Sequence, residues 1–384
     1  MEFYGYVRND GSIGVRNHVL ALSTVLCTGP IPERIADNVE GVVPIRHPWC
    51  FPTGETRIVL QGVVRNPNVA GAVIMGLGCE GYDESDLLKD LKSVDKPKIA
   101  FNIRDEGGTS KLLSKGIQTT REMVKDASTL KRQAVDIKHL RVGIKCGGSG
   151  ATSGLAANPA VGKMADMLVD LGATVIFSEP IEMLGAEDFL ARRAVNEEVA
   201  DKIREIIGSA LVYYREKRPS IGSMIGERMI SPGNVRAGLT TATEKALGAV
   251  LKGGTAPIQG VLKYGEAPEK NGLYIMDGTG IMFGDVATLI GFVAADCQIT
   301  IFTTDRGSVV GTPIAPVLKV CGNSDTFDKM EDNLDINAGE IIRGNKRIDE
   351  TGEEIFKEII EVASGKLTKS EIHKCWEFDY IRSL

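Results

Sequence analysis

The sequence predicts an α/β fold in two domains, with a mostly parallel sheet. Three observations carry this expectation. Short β-branched runs alternate with longer amphipathic stretches, the pattern of strands covered by crossover helices. The chain has 384 residues, more than twice the roughly 150 of an average domain. Glycine contributes 44 of them, about 11% against a usual level of about 7%, with no low-complexity tract, which implies many tight turns.

Strands are expected at 18–26, 70–75, 98–103, 141–144, 174–177, 260–263, 273–276, 298–302 and 317–320. Most are short, apolar and bounded by glycine, as buried parallel strands are. Between them, amphipathic patterns predict helices at 84–91, 108–125, 159–171, 186–218, 240–251, 285–294, 326–334 and 353–363. The alternation breaks at 125–138, a polar stretch that reads as a linker, and a new β-α-β unit starts at Arg141. Domains 1–135 and 136–384 follow. A second break, 219–238, is rich in Gly, Ser and Pro and contains Ser231-Pro232-Gly233-Asn234. It is longer than ordinary loops and reads as functional.

Composition excludes several classes. With 45 Lys+Arg against 51 Asp+Glu, a formal charge of −6 and no basic cluster interleaved with aromatics, no nucleic-acid partner is expected. The most apolar run, 286–302, is broken by Asp296 and Gln298 and falls short of the roughly 20 apolar residues of a membrane span. The N-terminal Met1-Glu2-Phe3-Tyr4 has no signal-peptide features, so a cytoplasmic location is expected. Seven scattered cysteines argue against a disulfide framework.

The strongest local pattern runs from a strand into Lys145-Cys146-Gly147-Gly148-Ser149-Gly150 and on through Ser153-Gly154 to Asn158-Pro159 at a helix start. Free N–H groups in such a loop, reinforced by the helix, suit an anionic oxygen; a structural turn is the alternative. The segment is neither a P-loop nor a dinucleotide fingerprint, because the Gly-Lys-Ser/Thr ending and the glycine spacing are missing.

Cys50, Cys79 and Cys146 each follow a strand or lie in a turn, where the strand ends of an α/β sheet converge. Together they could hold a metal or an iron–sulfur cluster, or be small buried apolar groups. Cys297, Cys321 and Cys375 lie in or beside apolar runs and read as core. His47, three residues before Cys50, is a candidate ligand or a structural histidine. Glu179, Glu182 and Glu187 follow a strand end and could ligate a cation, act as bases, or simply favour a helix start. Thr303-Thr304-Asp305-Arg306 offers hydroxyls and a guanidinium to a carboxylate, with a structural salt bridge as the alternative for Arg306.

Several motifs together resemble the altronate/galactarate dehydratase family, which includes the large subunit of sulfolactate sulfo-lyase. They are Gly14-Val15-Arg16-Asn17, Asn66-Pro67-Asn68-Val69, Gly76-Leu77-Gly78-Cys79-Glu80, Cys146-Gly147-Gly148-Ser149 with Ala157-Asn158-Pro159, Gly185-Ala186-Glu187, Ser231-Pro232-Gly233-Asn234, Gly238-Leu239-Thr240-Thr241, Phe302-Thr303-Thr304 with Arg306-Gly307, and Pro316-Val317-Leu318-Lys319-Val320. The resemblance implies an iron-dependent hydro-lyase for sugar acids that yields a 2-keto-3-deoxy acid. It also implies a dimerising N-terminal domain, a Rossmann-like C-terminal domain, and a separate small SAF-domain subunit as partner. Gly150, Asp188 and Asp305 depart from the family pattern, as does the absence of a glycine before Cys50.

On this basis Lys145, Glu179 and Lys245 are the catalytic candidates. Arg16, Asn17, Gly147, Gly148, Ser149, Asn158, Thr303, Thr304 and Arg306 are expected to bind substrate. Cys50, Cys79, Cys146, His47 and Glu80 are expected to place the iron, as a 4Fe-4S cluster or as mononuclear Fe(II). The same site could expel sulfite from sulfolactate, and a non-catalytic subunit is a further alternative.

Overall fold

The strands His18–Ser23, Val42–Ile45, Val69–Gly76 and Lys98–Asn102 form a wholly parallel sheet in a computed structural model that describes residues 1–216, 230–280 and 284–380. His18–Ser23 lies between Val42–Ile45 and Val69–Gly76, and Lys98–Asn102 is the far edge. A second parallel sheet has seven strands, in the order Ile258–Leu262, Gly272–Met276, Thr174–Ser178, Arg141–Cys146, Ile299–Thr304, Val317–Cys321 and Ile336–Asn337. From Arg141–Cys146 the chain steps to one side through Thr174–Ser178, and later returns to the other side as Ile299–Thr304. That reversal is a topological switch point, where the loops beyond the strands part and leave a crevice.

The expected strands are all present, with ends moved by a few residues. Val42–Ile45 escapes the sequence pattern because it is an edge strand of four residues containing Pro44, tolerated only at an edge. The stretch 125–138 is not simply a linker. Helix Thr109–Ala127 runs into it, and Gln133–Asp136 pairs antiparallel with Glu2–Val7 as a largely exposed ribbon whose polar residues hide its strand character. The long helix expected at 186–218 divides into Glu187–Ala191 and Glu197–Glu216. Asn196 restarts it, its Oδ1 accepting from the Val199 N–H at 3.0 Å; residues 217 and 218 lie outside the described residues.

The two sheets are joined through a shared core. Val59, Leu60 and Val63 of helix Gly54–Arg65 belong to the same apolar cluster as Leu289, Phe292 and Val293 of helix Asp285–Ala294. Gly62 permits the contact, since a Cβ there would meet Ala294 at 2.6 Å. Beside it, Asn66 Nδ2 donates to the carbonyls of Val293 and Cys297. Asn68 Nδ2 donates to those of Gln298 and Ile314, while its Oδ1 accepts from the N–H groups of Val15 and Arg16. Among the described residues no helix is long and apolar enough to cross a membrane.

Asn68 makes four buried hydrogen bonds, two within its own domain and two across to the carbonyls of Gln298 and Ile314. Replacing it with alanine strands four backbone groups, so Asn68→Ala should lose about 3 to 5 kcal/mol of stability in urea denaturation. A loss under about 1 kcal/mol would show that the four freed backbone groups find other partners.

Candidate active site

The strand Arg141–Cys146 carries Lys145 into the crevice, where its side chain is 3% exposed. An ammonium this deep needs counter-charges. Lys145 Nζ lies 2.8 Å from Glu179 and 3.0 Å from Asp285. Glu179 ends the neighbouring strand Thr174–Ser178 with φ 79°, a left-handed conformation costly for a residue with a Cβ. Asp285 opens helix Asp285–Ala294. Gly147 leaves it room, because a Cβ there would collide with the Asp285 carboxylate and the Phe302 ring.

One turn past Glu179, Glu182 accepts from Lys245 of helix Ala242–Val250 at 2.7 Å. Glu182 also lies 3.1 Å from Cys146 Sγ, and Lys252 Nζ lies 3.1 Å from the same sulfur. Glu179, Glu182, Lys145, Lys245 and Lys252 thus surround one thiol, with Asp285 on the far side of the Lys145 ion pair.

Burial and Glu182 push Glu179 well above the usual carboxylate range. Burial acts on Glu182 in the same direction, but Lys245, Lys145 and Lys252 outweigh it and hold Glu182 well below that range. The two carboxyls titrate as a pair, with Glu179 the harder of the two to ionise. Burial also works against the charge on Lys145, yet Glu179, Asp285 and Glu182 outweigh it and raise its pKa well above the ordinary lysine value. The Cys146 thiol is pushed up to about 11 by burial and by Glu182.

Above this floor is a cavity of about 350 Å³. One rim is the loop Gly147–Gly148–Ser149, with Gly148 at φ 61°. The N–H groups of Gly148 and Ser149 have no hydrogen-bond partner among the described residues. Asn234 Nδ2 holds the loop through the Ser149 carbonyl at 2.9 Å. Arg306 closes the rim and makes no ion pair among the described residues. Gly233 accommodates it, since a Cβ there would collide with the guanidinium. Beneath the loop, buried Asp305 accepts from the Thr152 hydroxyl, and the backbone N–H groups of Asp305 and Arg306 both meet the Gly148 carbonyl.

The cavity therefore collects Lys145, Gly147, Gly148, Ser149, Glu179, Lys245 and Arg306 as expected from the sequence. Lys252 and Asp285 were not anticipated. Their signals were a lone lysine in the apolar run 246–254 and an acid opening an apolar helix. Thr303 and Asn158 brace each other, with Asn158 tied onward to the Gly248 carbonyl. Thr304 lies under Gly148, its hydroxyl unbonded among the described residues.

The N-terminal candidates are elsewhere. Arg16 is buried and bound to Glu371 and to the carbonyls of Val15, Val362 and Lys366, so it is a structural strut. Asn17 bridges Arg8 and the Ala127 carbonyl. His47 has both ring nitrogens engaged, by the Trp49 carbonyl and the Tyr380 hydroxyl, which removes it as a ligand. Glu80 accepts from Thr24 and the N–H groups of Leu77 and Cys79, shaping its own loop. Cys50 and Cys79 are exposed beyond strands of the smaller sheet.

Among the described residues, the group of three potential ligands close enough to share an ion is Cys146, Glu179 and Glu182, whose donor atoms lie within 4.8 Å of one another. One thiol and two carboxylates suit a single divalent ion such as Fe(II). Glu179 Oε2, buried and outside hydrogen-bonding geometry despite its nearness to Lys145, is a donor atom left open for it. The three thiolates of a cluster are not assembled, because Cys50 and Cys79 belong to no such group.

Residues 137–383 match the family model described as D-galactarate/Altronate dehydratase, C-terminal. Residues 5–128 match D-galactarate dehydratase/Altronate hydrolase, second domain. The chain is 32% identical to the altronate dehydratase of Bacillus subtilis, covering 96% of this chain and 75% of that protein. It is 31% identical to (2R)-sulfolactate sulfo-lyase subunit beta of Chromohalobacter salexigens, covering 96% and 94%. It is 33% identical to the L-threo-forming galactarate dehydratase of Escherichia coli, covering 95% and 73%.

Burial raises Asp305 to about 6 from an ordinary 3.8, with Arg306 opposing the shift. A carboxyl raised by folding contributes stability that is full below its unfolded value and is lost as pH rises through its folded value. Asp305→Asn removes that dependence. Relative to the parent, the variant should gain about 1 to 3 kcal/mol between pH 4 and pH 7 in denaturant titrations; a constant difference would place the shifted group elsewhere.

Proposed function

The chain belongs to the D-galactarate/altronate dehydratase family, and we propose from that premise that it is a lyase removing water from a sugar acid in the cavity above Lys145. The observation that supports this most is the single cavity in which a buried lysine between carboxylates faces an open anion-binding loop with Arg306.

Dehydration beside a carboxylate has three requirements. The C2 proton must be taken, the enediolate stabilised, and the C3 hydroxide protonated as it leaves. Fe(II) held by Cys146, Glu179 and Glu182 would supply Lewis acidity and would offset two of the carboxylates that hold the Lys145 proton, so that this proton could pass to water before the reaction begins. The substrate carboxylate is received by the Gly148 and Ser149 N–H groups and Arg306. Lys145 Nζ then takes the C2 proton, the C3–O bond breaks, and Lys245 gives a proton to the departing hydroxide to form water. The enol becomes a 2-keto-3-deoxy acid. Lys252 stays behind Cys146, where its charge favours the thiolate form of that donor.

Loss of sulfite from sulfolactate is the second reading, supported by the near full-length similarity to a sulfo-lyase subunit. That relative is named as a subunit, which also supports an assembly with a separate small partner chain.

Protein loaded with Fe(II) should form 2-keto acid from a hexonate or hexarate, read by its semicarbazone. Lys145→Ala should lower kcat by about 10²- to 10⁴-fold. Sulfite release from sulfolactate without dehydration of any sugar acid would replace the first reading with the second. Cys146→Ser should weaken metal binding by about tenfold or more in a competitive chelator titration; unchanged affinity would remove Cys146 from the donor set.

A further inference from the structure

We infer that Cys27, Cys50 and Cys79 hold an iron–sulfur cluster of the four-iron type at one edge of the smaller sheet. This is a second metal centre, in the N-terminal domain and separate from the Cys146 donor set.

The strands Val42–Ile45, His18–Ser23 and Val69–Gly76 are parallel neighbours, so their carboxyl ends share one edge. Cys50, Cys27 and Cys79 follow those three ends, each within the next few residues. Contacts beside each cysteine draw the three loops together. The Leu26 N–H donates to the Trp49 carbonyl at 3.0 Å, tying the Cys27 loop to the Cys50 loop. The Thr24 hydroxyl donates to Glu80 at 2.7 Å, tying the Cys27 loop to the Cys79 loop. A Cβ on Gly81 would meet Pro52 at 3.4 Å, so the loops of Cys79 and Cys50 also touch. Cys146, expected from the sequence beside Cys50 and Cys79, ends a strand of the other sheet. Cys27 takes its place, because its strand lies between theirs.

Exposure singles out the same three residues. Cysteine is among the most buried residue types, and Cys146, Cys297 and Cys321 are buried. Cys27, Cys50 and Cys79 are exposed. Leu26 and Phe51, their chain neighbours, are exposed as well despite being apolar. Bare thiols gathered at one surface are open to oxidation and cross-linking, and a metal centre occupies them.

Thiolates select zinc, copper(I) or iron–sulfur clusters, and the spacing chooses among these. Among the described residues the three sulfurs do not form a group within 4.8 Å of one another, as the donors of Cys146, Glu179 and Glu182 do. That is too wide for the short bonds of a single ion. In a four-iron cluster each thiolate binds its own iron, which requires wider spacing. Such clusters commonly have four thiolates; with three, one iron stays open to an oxygen ligand.

The test uses the full chain, purified without oxygen and supplied with ferrous iron and sulfide. It should hold about four acid-labile sulfides, and about four irons that a mild chelator leaves in place, with the visible charge-transfer absorption of a thiolate-bound cluster. Cys27→Ser, Cys50→Ser and Cys79→Ser should each lose most of the sulfide and absorption while keeping the far-ultraviolet circular dichroism of the parent. Cys146→Ser should keep both, whatever its effect on Fe(II) binding in the other domain. In the parent, iodoacetamide should label the three thiols only after the cluster is stripped, read by peptide mass spectrometry. Equal labelling before and after stripping overturns the inference even where a variant fails to fold. Sulfide that survives in all three N-terminal variants, sulfide lost in Cys146→Ser alone, or zinc in place of iron and sulfide overturns it too, and leaves the reading of the C-terminal cavity standing.

Discussion

A buried ammonium organises the catalytic end of this protein. Lys145 is placed inside by the strand Arg141–Cys146, central in a parallel sheet, and its charge persists only because Glu179 and Asp285 reach it. Other features follow from that need. Glu179 takes a left-handed backbone that an L-residue avoids, and residue 147 has no side chain, so that Asp285 can approach. Glu182 then needs Lys245 for the same reason, and its charge in turn makes Glu179 harder to ionise. Such a network is weak evidence for stability. Its value is a set of proton-exchanging groups held at fixed distances before substrate arrives.

The fold was legible where burial is uniform. Strands covered on both faces, such as Thr174–Ser178 and Val317–Cys321, show as apolar runs between turns. Val42–Ile45 and Gln133–Asp136 did not, because an edge containing proline and an exposed ribbon lack that pattern. The site was legible along one stretch of chain, from Lys145 through Ser149, and at Glu179 and Arg306. Lys252 and Asp285 join only through tertiary contact, at 3.1 Å from Cys146 and 3.0 Å from Lys145, and no local spacing announces such meetings.

The N-terminal motifs show how a recurring pattern misleads when its physics is architectural. Asn66-Pro67-Asn68 and Arg16-Asn17 have the polar composition of a binding site. Their side chains instead satisfy backbone groups where two domains share a core. A buried interface between backbone segments needs donors and acceptors of fixed geometry, and Asn and Arg supply them. Glu80 does the same within a single loop. Polar residues in such motifs become chemical candidates when a cavity leaves some of their valences open, as it does for Arg306 and the Gly148 and Ser149 N–H groups among the described residues.

The same geometry explains how relatives named for water loss and for sulfite loss can share one scaffold. Both reactions begin with a proton leaving the carbon beside a carboxylate, and both place negative charge on that carboxylate in the transition state. In the proposed reading, Lys145 and the Gly148–Arg306 rim serve this common half. The leaving group is the other half, assigned in the proposed reading to Lys245, which lines the same cavity. Hydroxide is a strong base that requires a proton as it departs, whereas sulfite leaves as a weak one, so Lys245 is indispensable only to the first.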